Sequence, residues 1–279
     1  MTMLDDAAPL ISAMEALGRD LLAWRDDPRA RHVHDRAALK SEGDRRAHAR
    51  LVQALARHAG GVPVISEEDA SHAATRPGLY WLIDPIDGTA SWLDGFDGFV
   101  TQVALIDAGV PVLGLVHAPA QGTTWSAARG EGAWRNGRPM KRLLPRKGCI
   151  IVDNTPEPHG TAAFLMERLP ITGYRESGSL GLKSCLVADG TADLFAKSVV
   201  VRDWDLAPAA AILGEVGGTL VGADGAAFPF RDEWEKPRGF VVARDAAMAR
   251  SACEAMADER TIADERTMAD ERGMGGRVA

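Results

Sequence analysis

Tyr80-Trp81-Leu82-Ile83-Asp84-Pro85-Ile86-Asp87-Gly88-Thr89 is the stretch on which the fold turns. Tyr80 to Ile83 is an apolar run bounded by turn formers, the pattern of a short buried strand. The run ends on a carboxylate. Pro85, with fixed φ and no N–H, is expected to stop the ladder there. The turn that follows brings Asp84 and Asp87 towards one point, with the Ile86 carbonyl between them. Gly88 lets the backbone pass close to a ligand. Thr89 puts a hydroxyl at the start of a short helical turn, Ser91-Trp92-Leu93, whose free N–H groups favour an anion. Two carboxylates, a carbonyl, a hydroxyl and an anion nest are the parts of a site where a hard cation meets a phosphate ester. The same residue types also build plain surface turns, so the rest of the chain must decide.

With 279 residues the chain can form one large domain or two moderate ones. Hydrophobic residues at 46% and charged ones at 25% point to a globular protein in water. A net charge of -7 argues against a general nucleic-acid binder. It is compatible with an acidic metal site, where the cation supplies the positive charge that a phosphate needs. Cys149, Cys185 and Cys253 are far apart and form no C-x-x-C pair, which argues for buried free thiols over a disulfide framework or zinc ribbon. Met1 to Leu10 holds two aspartates and no basic region, unlike a secretory signal. Gln102 and Asp107 interrupt the best candidate for a membrane span. A cytoplasmic location with no membrane partner is expected.

Around the central stretch, Leu10, Met14, Leu17, Leu21 and Trp24 recur at helical spacing. A basic loop follows, Arg25 to Arg36. Lys40-Ser41-Glu42-Gly43-Asp44 leads into a second helix with Ala47, Leu51 and Leu55 on one face, and Asp44 is placed to cap or open it. Val62 to Ile65 reads as a strand ending on Ser66-Glu67-Glu68-Asp69, where adjacent acids repel unless solvated or bound to a cation. Gly98 to Ile106 and Val110 to His117 suggest a hairpin, with further antiparallel strands at Thr123 to Ala128 and Ala133-Trp134. His117 reads as structural.

Pro139 to Lys147 is polar, basic and carries two prolines, the marks of a linker. From Cys149 strands and helices alternate, which suggests an α/β layer. Asp205 stands after Trp204 as the expected N-cap of a helix from Leu206 to Val216. From Met256 a six-residue repeat, Met-Ala-Asp-Glu-Arg-Thr and variants, turns its apolar residue about 240° each time around a helix. It makes no continuous stripe, is expected to form a solvated helix or a disordered tail, and is assigned no chemistry. The expected organisation is an N-terminal α+β half (1–142), a C-terminal α/β half (143–256) and a low-complexity tail (257–279).

Asp44, Glu67, Asp84, Asp87 and Asp205 each lie at the edge of an expected element. This pattern resembles the lithium-sensitive, magnesium-dependent phosphomonoesterase superfamily of inositol monophosphatases. The core signature Asp-Pro-Ile/Leu-Asp-Gly-Thr/Ser is met by Asp84 to Thr89. Trp-Asp before a small-residue helix is met by Trp204-Asp205-Leu206-Ala207-Pro208-Ala209. The Glu-Glu segment is met by Glu67-Glu68 and, loosely, Thr-Glu-Ala-Asp by Ser41-Glu42-Gly43-Asp44. The resemblance covers about Ala8 to Ala243 and implies a layered α-β-α-β-α sandwich of the inositol monophosphatase and fructose-1,6-bisphosphatase type.

It also implies roles. Glu67, Asp84, Asp87, Asp205 and the Ile86 carbonyl would ligate two or three Mg2+ ions. Thr89 and Glu67 would orient and deprotonate the attacking water, supported by Asp44, with no covalent phosphoenzyme. Backbone N–H groups of Gly88, Thr89 and Ala90 would hold the phosphate, and Asp205 would also meet the substrate. The substrate would be a small phosphate ester, and a homodimer is compatible with the family.

Within the superfamily, Lys40 to Arg46 and Gly178-Ser179-Leu180-Gly181-Leu182-Lys183-Ser184-Cys185 look like the nucleotidase branch typified by CysQ, which removes the 3′-phosphate of 3′-phosphoadenosine 5′-phosphate. Ser179 and Lys183 would then meet the substrate. The alternative reading of Lys183 is a solvated helix residue. Thr89-Ala90-Ser91-Trp92 lacks charges common after this motif in that branch, and Leu206-Ala207-Pro208 departs from its usual sequence, so an inositol-1-monophosphatase or related polyol phosphatase is the alternative. Two rivals differ in kind. A haloacid-dehalogenase-like enzyme would need one residue between its two acids, where this chain has two. A non-catalytic chain would use the acids to bind a structural cation and its surface to bind a partner protein.

Overall fold

The computed structural model describes residues 2–58, 60–69 and 76–259. Its helices are α1 (Met3–Trp24), α2 (Glu42–His58), α3 (Thr89–Asp94), α4 (Gly160–Arg168), α5 (Leu180–Ala188), α6 (Asp203–Glu215) and a C-terminal helix over 246–259.

The layering follows from the two faces of the strand Leu79–Asp87. Side chains alternate across a strand. Trp81 and Ile83 pack with Leu10, Met14 and Leu21 of α1 and with Leu51 and Leu55 of α2. Tyr80 and Leu82 turn the other way, towards Leu182 and Val187 of α5 and Leu206 and Ile212 of α6. A strand covered on both faces has no polar side, hence its unbroken apolar run.

This strand is second in a seven-stranded sheet in chain order: Val64–Ser66, Leu79–Asp87, Val100–Asp107, Val110–Ala118, Thr123–Ala128, Gly132–Arg135 and Arg138–Pro139. The first pair is parallel and the others are antiparallel. Helices α5 and α6 separate it from a five-stranded sheet ordered Gly173–Glu176, Ile150–Asp153, Leu194–Lys197, Phe240–Ala243 and Thr219–Gly222. The inner face of this second sheet brings Val152, Phe195, Phe240 and Val242 to the middle core. Its outer face brings Ile151, Leu194 and Val241 against Leu165 of α4 and Ala252 and Met256 of the C-terminal helix. The expected α-β-α-β-α sandwich is the architecture observed.

Three local expectations are corrected. The strand does not stop at Ile83 but runs through Pro85 to Asp87. Its partner register steps from Asp84↔Gln102 to Asp87↔Val100, so one extra residue sits on the Pro85 side. Such a bulge takes the proline's missing N–H out of the ladder. Asp205 is not an N-cap: α6 starts at Asp203 after the cap residue Arg202, and Asp205 lies in the first turn. The repeat tail begins inside the C-terminal helix, where Met256 is buried. The repeats from Arg260 onward lie outside the described residues. The three cysteines are buried thiols in no disulfide. Among the described residues no helix is long and apolar enough to cross a membrane.

Candidate active site

The sheet edge, two helix starts and one turn bring the five acids to one region. Glu67 follows the strand Val64–Ser66, and its N–H donates to the Ile83 carbonyl at 3.2 Å, which holds it beside Asp84. Asp84 is 1% exposed, and its Oδ1 is buried without a hydrogen-bond partner. Burial, then the charges of Glu67, Asp87 and Asp205, push its carboxyl well above the usual range, and it shares a hydrogen bond with Glu67. Burial also lifts Glu67 to about 7, against the pull of Lys40 and with help from Asp44 and Glu68. Asp205 is raised well above its ordinary value by burial and then by Asp87. Glu67, Asp84, Asp87 and Asp205 thus lie within electrostatic reach of one another.

The adjacent acids Glu67 and Glu68 part company. Glu68 pairs with Lys40 at 3.0 Å, and the Lys40 ammonium also donates to the Glu67 carbonyl. That leaves the Glu67 side chain for the cluster.

Asp44 sits in the first turn of α2, where its Oδ2 accepts from the N–H (2.8 Å) and hydroxyl (2.6 Å) of Ser41. Thr89 Oγ1 lies 3.1 Å from Asp44 Oδ1 and 3.1 Å from the Ile86 carbonyl. A hydroxyl has one proton, so it donates to one of these at a time and keeps its lone pairs for an incoming donor. Gly88, at φ +89°, opens α3 and takes the αL turn that a side chain would strain.

Asp87 faces the first turn of α5. Its Oδ2 accepts from the Gly181 N–H at 2.6 Å and its Oδ1 from the Leu180 N–H at 3.2 Å. The helix N-terminus favours that negative charge, yet burial still leaves the carboxyl raised. Ser179 caps the same helix, its Oγ accepting from Leu182 N–H at 2.9 Å. Lys183, one turn on, is buried and not a solvated helix residue: it is 3% exposed and lies 4.9 Å above the Phe195 ring. Burial lowers its ammonium to about 8, while Asp87 and Asp153 pull it back up. Ala90 is exposed at the start of α3.

Three contributors carry no local sequence signal for this role. Gln102 donates to Asp87 Oδ2 (3.3 Å) and to the Trp204 carbonyl (3.0 Å), tying the strand to the first turn of α6. A lone amide in an apolar run is the one clue to it. Asp153 and Lys197, paired at 2.6 Å, stand behind Lys183 and meet only through sheet pairing.

The donor set is all oxygen, which suits a hard divalent cation. Among the described residues no group of three or more His, Cys, Asp and Glu side chains stands assembled as a metal cage. Asp87 and Asp205 spend oxygens on backbone N–H groups, the latter on Arg202 at 2.7 Å. The residues nonetheless fit such an ion, because the partnerless Asp84 oxygen and the crowded carboxylates need a positive charge to be stable when ionised.

Known proteins resemble this chain in sequence and fold. The model of the inositol monophosphatase family matches residues 17–266. The 3′(2′),5′-bisphosphate nucleotidase CysQ of Shigella flexneri is 34% identical over 179 residues, 61% of this chain and 71% of that protein. The histidinol-phosphatase of Mycobacterium tuberculosis is 32% identical over 205 residues, 68% of this chain and 76% of that protein. The structure of an IMPase from Thermotoga maritima superposes with a TM-score of 0.74 at 23% identity, covering 89% of this chain and 97% of that one. Sequence and sandwich agree, and the chain belongs to the inositol monophosphatase family, whose members are phosphatases.

Proposed function

We propose that this chain is a magnesium-dependent phosphomonoesterase that removes the 3′-phosphate of 3′-phosphoadenosine 5′-phosphate, leaving AMP and phosphate, in the cytoplasm. The observation that carries the phosphatase reading is the group of Glu67, Asp84, Asp87 and Asp205, the first and last half-buried around two buried aspartates, with the partnerless Asp84 oxygen. The likeness to CysQ and the buried Lys183 beside Asp87 support the nucleotide substrate.

Bound magnesium would supply positive charge to the phosphoryl group and acidify a water. Asp84, Asp87, Asp205, Glu67 and the Ile86 carbonyl would hold it. Glu67 would take the water's proton as general base, within reach of the water that Thr89 orients. Thr89 donates its hydroxyl proton to Asp44 and offers a lone pair to a water, which fixes the water's orientation. The N–H groups of Gly88, Thr89 and Ala90 would meet the phosphate oxygens from the αL turn, with Ser179 and Lys183 on the far side.

The likeness to a histidinol-phosphatase favours a second reading, a phosphatase for another small alcohol phosphate such as an inositol or histidinol ester. Rates measured side by side on 3′-phosphoadenosine 5′-phosphate, inositol 1-phosphate and histidinol phosphate with magnesium separate the two. The highest kcat/KM is expected on the nucleotide. A higher value on either other ester would replace the nucleotidase assignment, and no release from any would return the chain to a binding role.

A further inference from the structure

The basic linker has no part in the acid cluster, yet it lines a large concavity. A cleft of about 940 Å³ opens between residues 135–146, the turn after α5 and Arg244. Arg135, Arg138, Lys141, Arg142, Arg146 and Arg244 line it, against two carboxylates, Asp189 and Asp193. Six cations less two anions give a local charge of +4, in a chain whose net charge is -7.

The two acids are already engaged. Asp193 takes Arg146 in a fork at 2.8 and 2.9 Å and Arg244 at 3.0 Å. Asp189 pairs with Arg135 at 3.4 Å. Arg138, Lys141 and Arg142 are exposed and have no carboxylate partner among the described residues. Their segment is anchored, because the Leu143 N–H donates to the Val216 carbonyl at 2.8 Å just past α6. The Arg142 guanidinium lies against Gly217, where an added Cβ would come within 2.9 Å of Nη2. Like charges held around a hollow repel one another; a bound anion relieves that.

We propose that this cleft is a second binding site, for a small molecule carrying two or more phosphate groups. Its volume is that of a small-molecule pocket, and guanidinium forks fit phosphate oxygens. One phosphate monoester carries about -1.5 to -2 at neutral pH, so two match the +4. The site shares no residue with the acid cluster and does not depend on the substrate assigned above.

Calorimetry of the full chain with pyrophosphate, in metal-free buffer at low salt, is the test. Pyrophosphate is expected to bind at one site and more tightly than orthophosphate. The triple variant Arg138→Ala/Lys141→Ala/Arg142→Ala is expected to bind it at least about tenfold more weakly, with Tm and basal phosphatase rate unchanged. No binding, binding unchanged in the variant, or equal affinity for orthophosphate would overturn the proposal. So would a short single-stranded oligonucleotide that binds more tightly through the same three residues.

Discussion

Asp87 Oδ2 accepts the Gly181 N–H at 2.6 Å, which fastens the acid-bearing strand to the first turn of α5. The contact depends on a missing side chain. A Cβ at Gly181 would stand 2.1 Å from Gln102 Oε1 and 3.0 Å from Asp87 Oδ2. Gly181→Ala is therefore expected to push Asp87 and Gln102 out of register with the other acids. Overpacking of this kind costs about 1–3 kcal/mol, and a misplacement of about 1 Å costs about 100-fold in rate. Urea melts and initial rates of phosphate release check both. Wild-type kcat in a folded variant would show that the fastening is unimportant.

The Asp84 carboxyl raises a different expectation. Its partnerless oxygen and its three acidic neighbours make its charge costly unless a cation is bound. Magnesium at about 100 times its Kd stabilises the folded chain by about 2.7 kcal/mol. In a domain of this size that is a rise in Tm of about 5–10 °C. Asp84→Asn removes the charge, so its Tm in chelator is expected to exceed wild type's, and its response to magnesium to vanish. The chelator is also expected to abolish wild-type turnover. An unaltered magnesium shift in Asp84→Asn would remove Asp84 from the ligand set.

Much of the candidate site is legible because each acid lies near an end of an element, where chain direction changes and side chains from distant segments meet. Asp84, Asp87 and Thr89 came from one short stretch whose turn chemistry is local. What escaped was set by tertiary pairing. Pro85 lies inside a strand because a bulge absorbs it, and no local rule says that the partner strand will allow one. Asp205 reads as an N-cap because it stands directly before the expected helix Leu206 to Val216. Asp203 and Trp204 are themselves buried and start it earlier. Lys183 has two readings in the sequence because a lysine on a helix is commonly solvated. Nothing in its neighbours signals the sheet that closes over it. Gln102 looked only like a break in an apolar run.

Lys183 is expected to give activity a pH dependence. Its ammonium is charged below about 8 and neutral above. A phosphate grip that relies on that charge is present below this value and fades as pH rises through it. The profile of kcat/KM for the nucleotide is expected to fall on an alkaline limb near pH 8. Lys183→Met is expected to lose that limb and to lower kcat/KM by about tenfold to a hundredfold. A limb unchanged in the variant would place the titrating group elsewhere.

Acid stability has a separate origin, at Asp193. Burial alone would raise its carboxyl, but Arg146, the Ile150 N–H at 2.8 Å and Arg244 outweigh it and hold the value below the ordinary one. A carboxylate whose folded pKa lies below its unfolded pKa binds fewer protons when folded. It therefore stabilises the fold fully above the unfolded value of about 4. That contribution is lost as pH falls through the lower, folded value. Asp193→Asn removes the charge from a set of charge-assisted bonds worth about 1.5–3 kcal/mol. It is expected to lower stability by that order at pH 7 and by progressively less as the pH is taken below 4, so that the wild-type and variant curves converge in acid. Urea unfolding across pH 2–7, as a range about the carboxylate pKa, checks this. A gap that stays constant down to the acid end would mean that the lost stability lies in packing and not in the charge of Asp193.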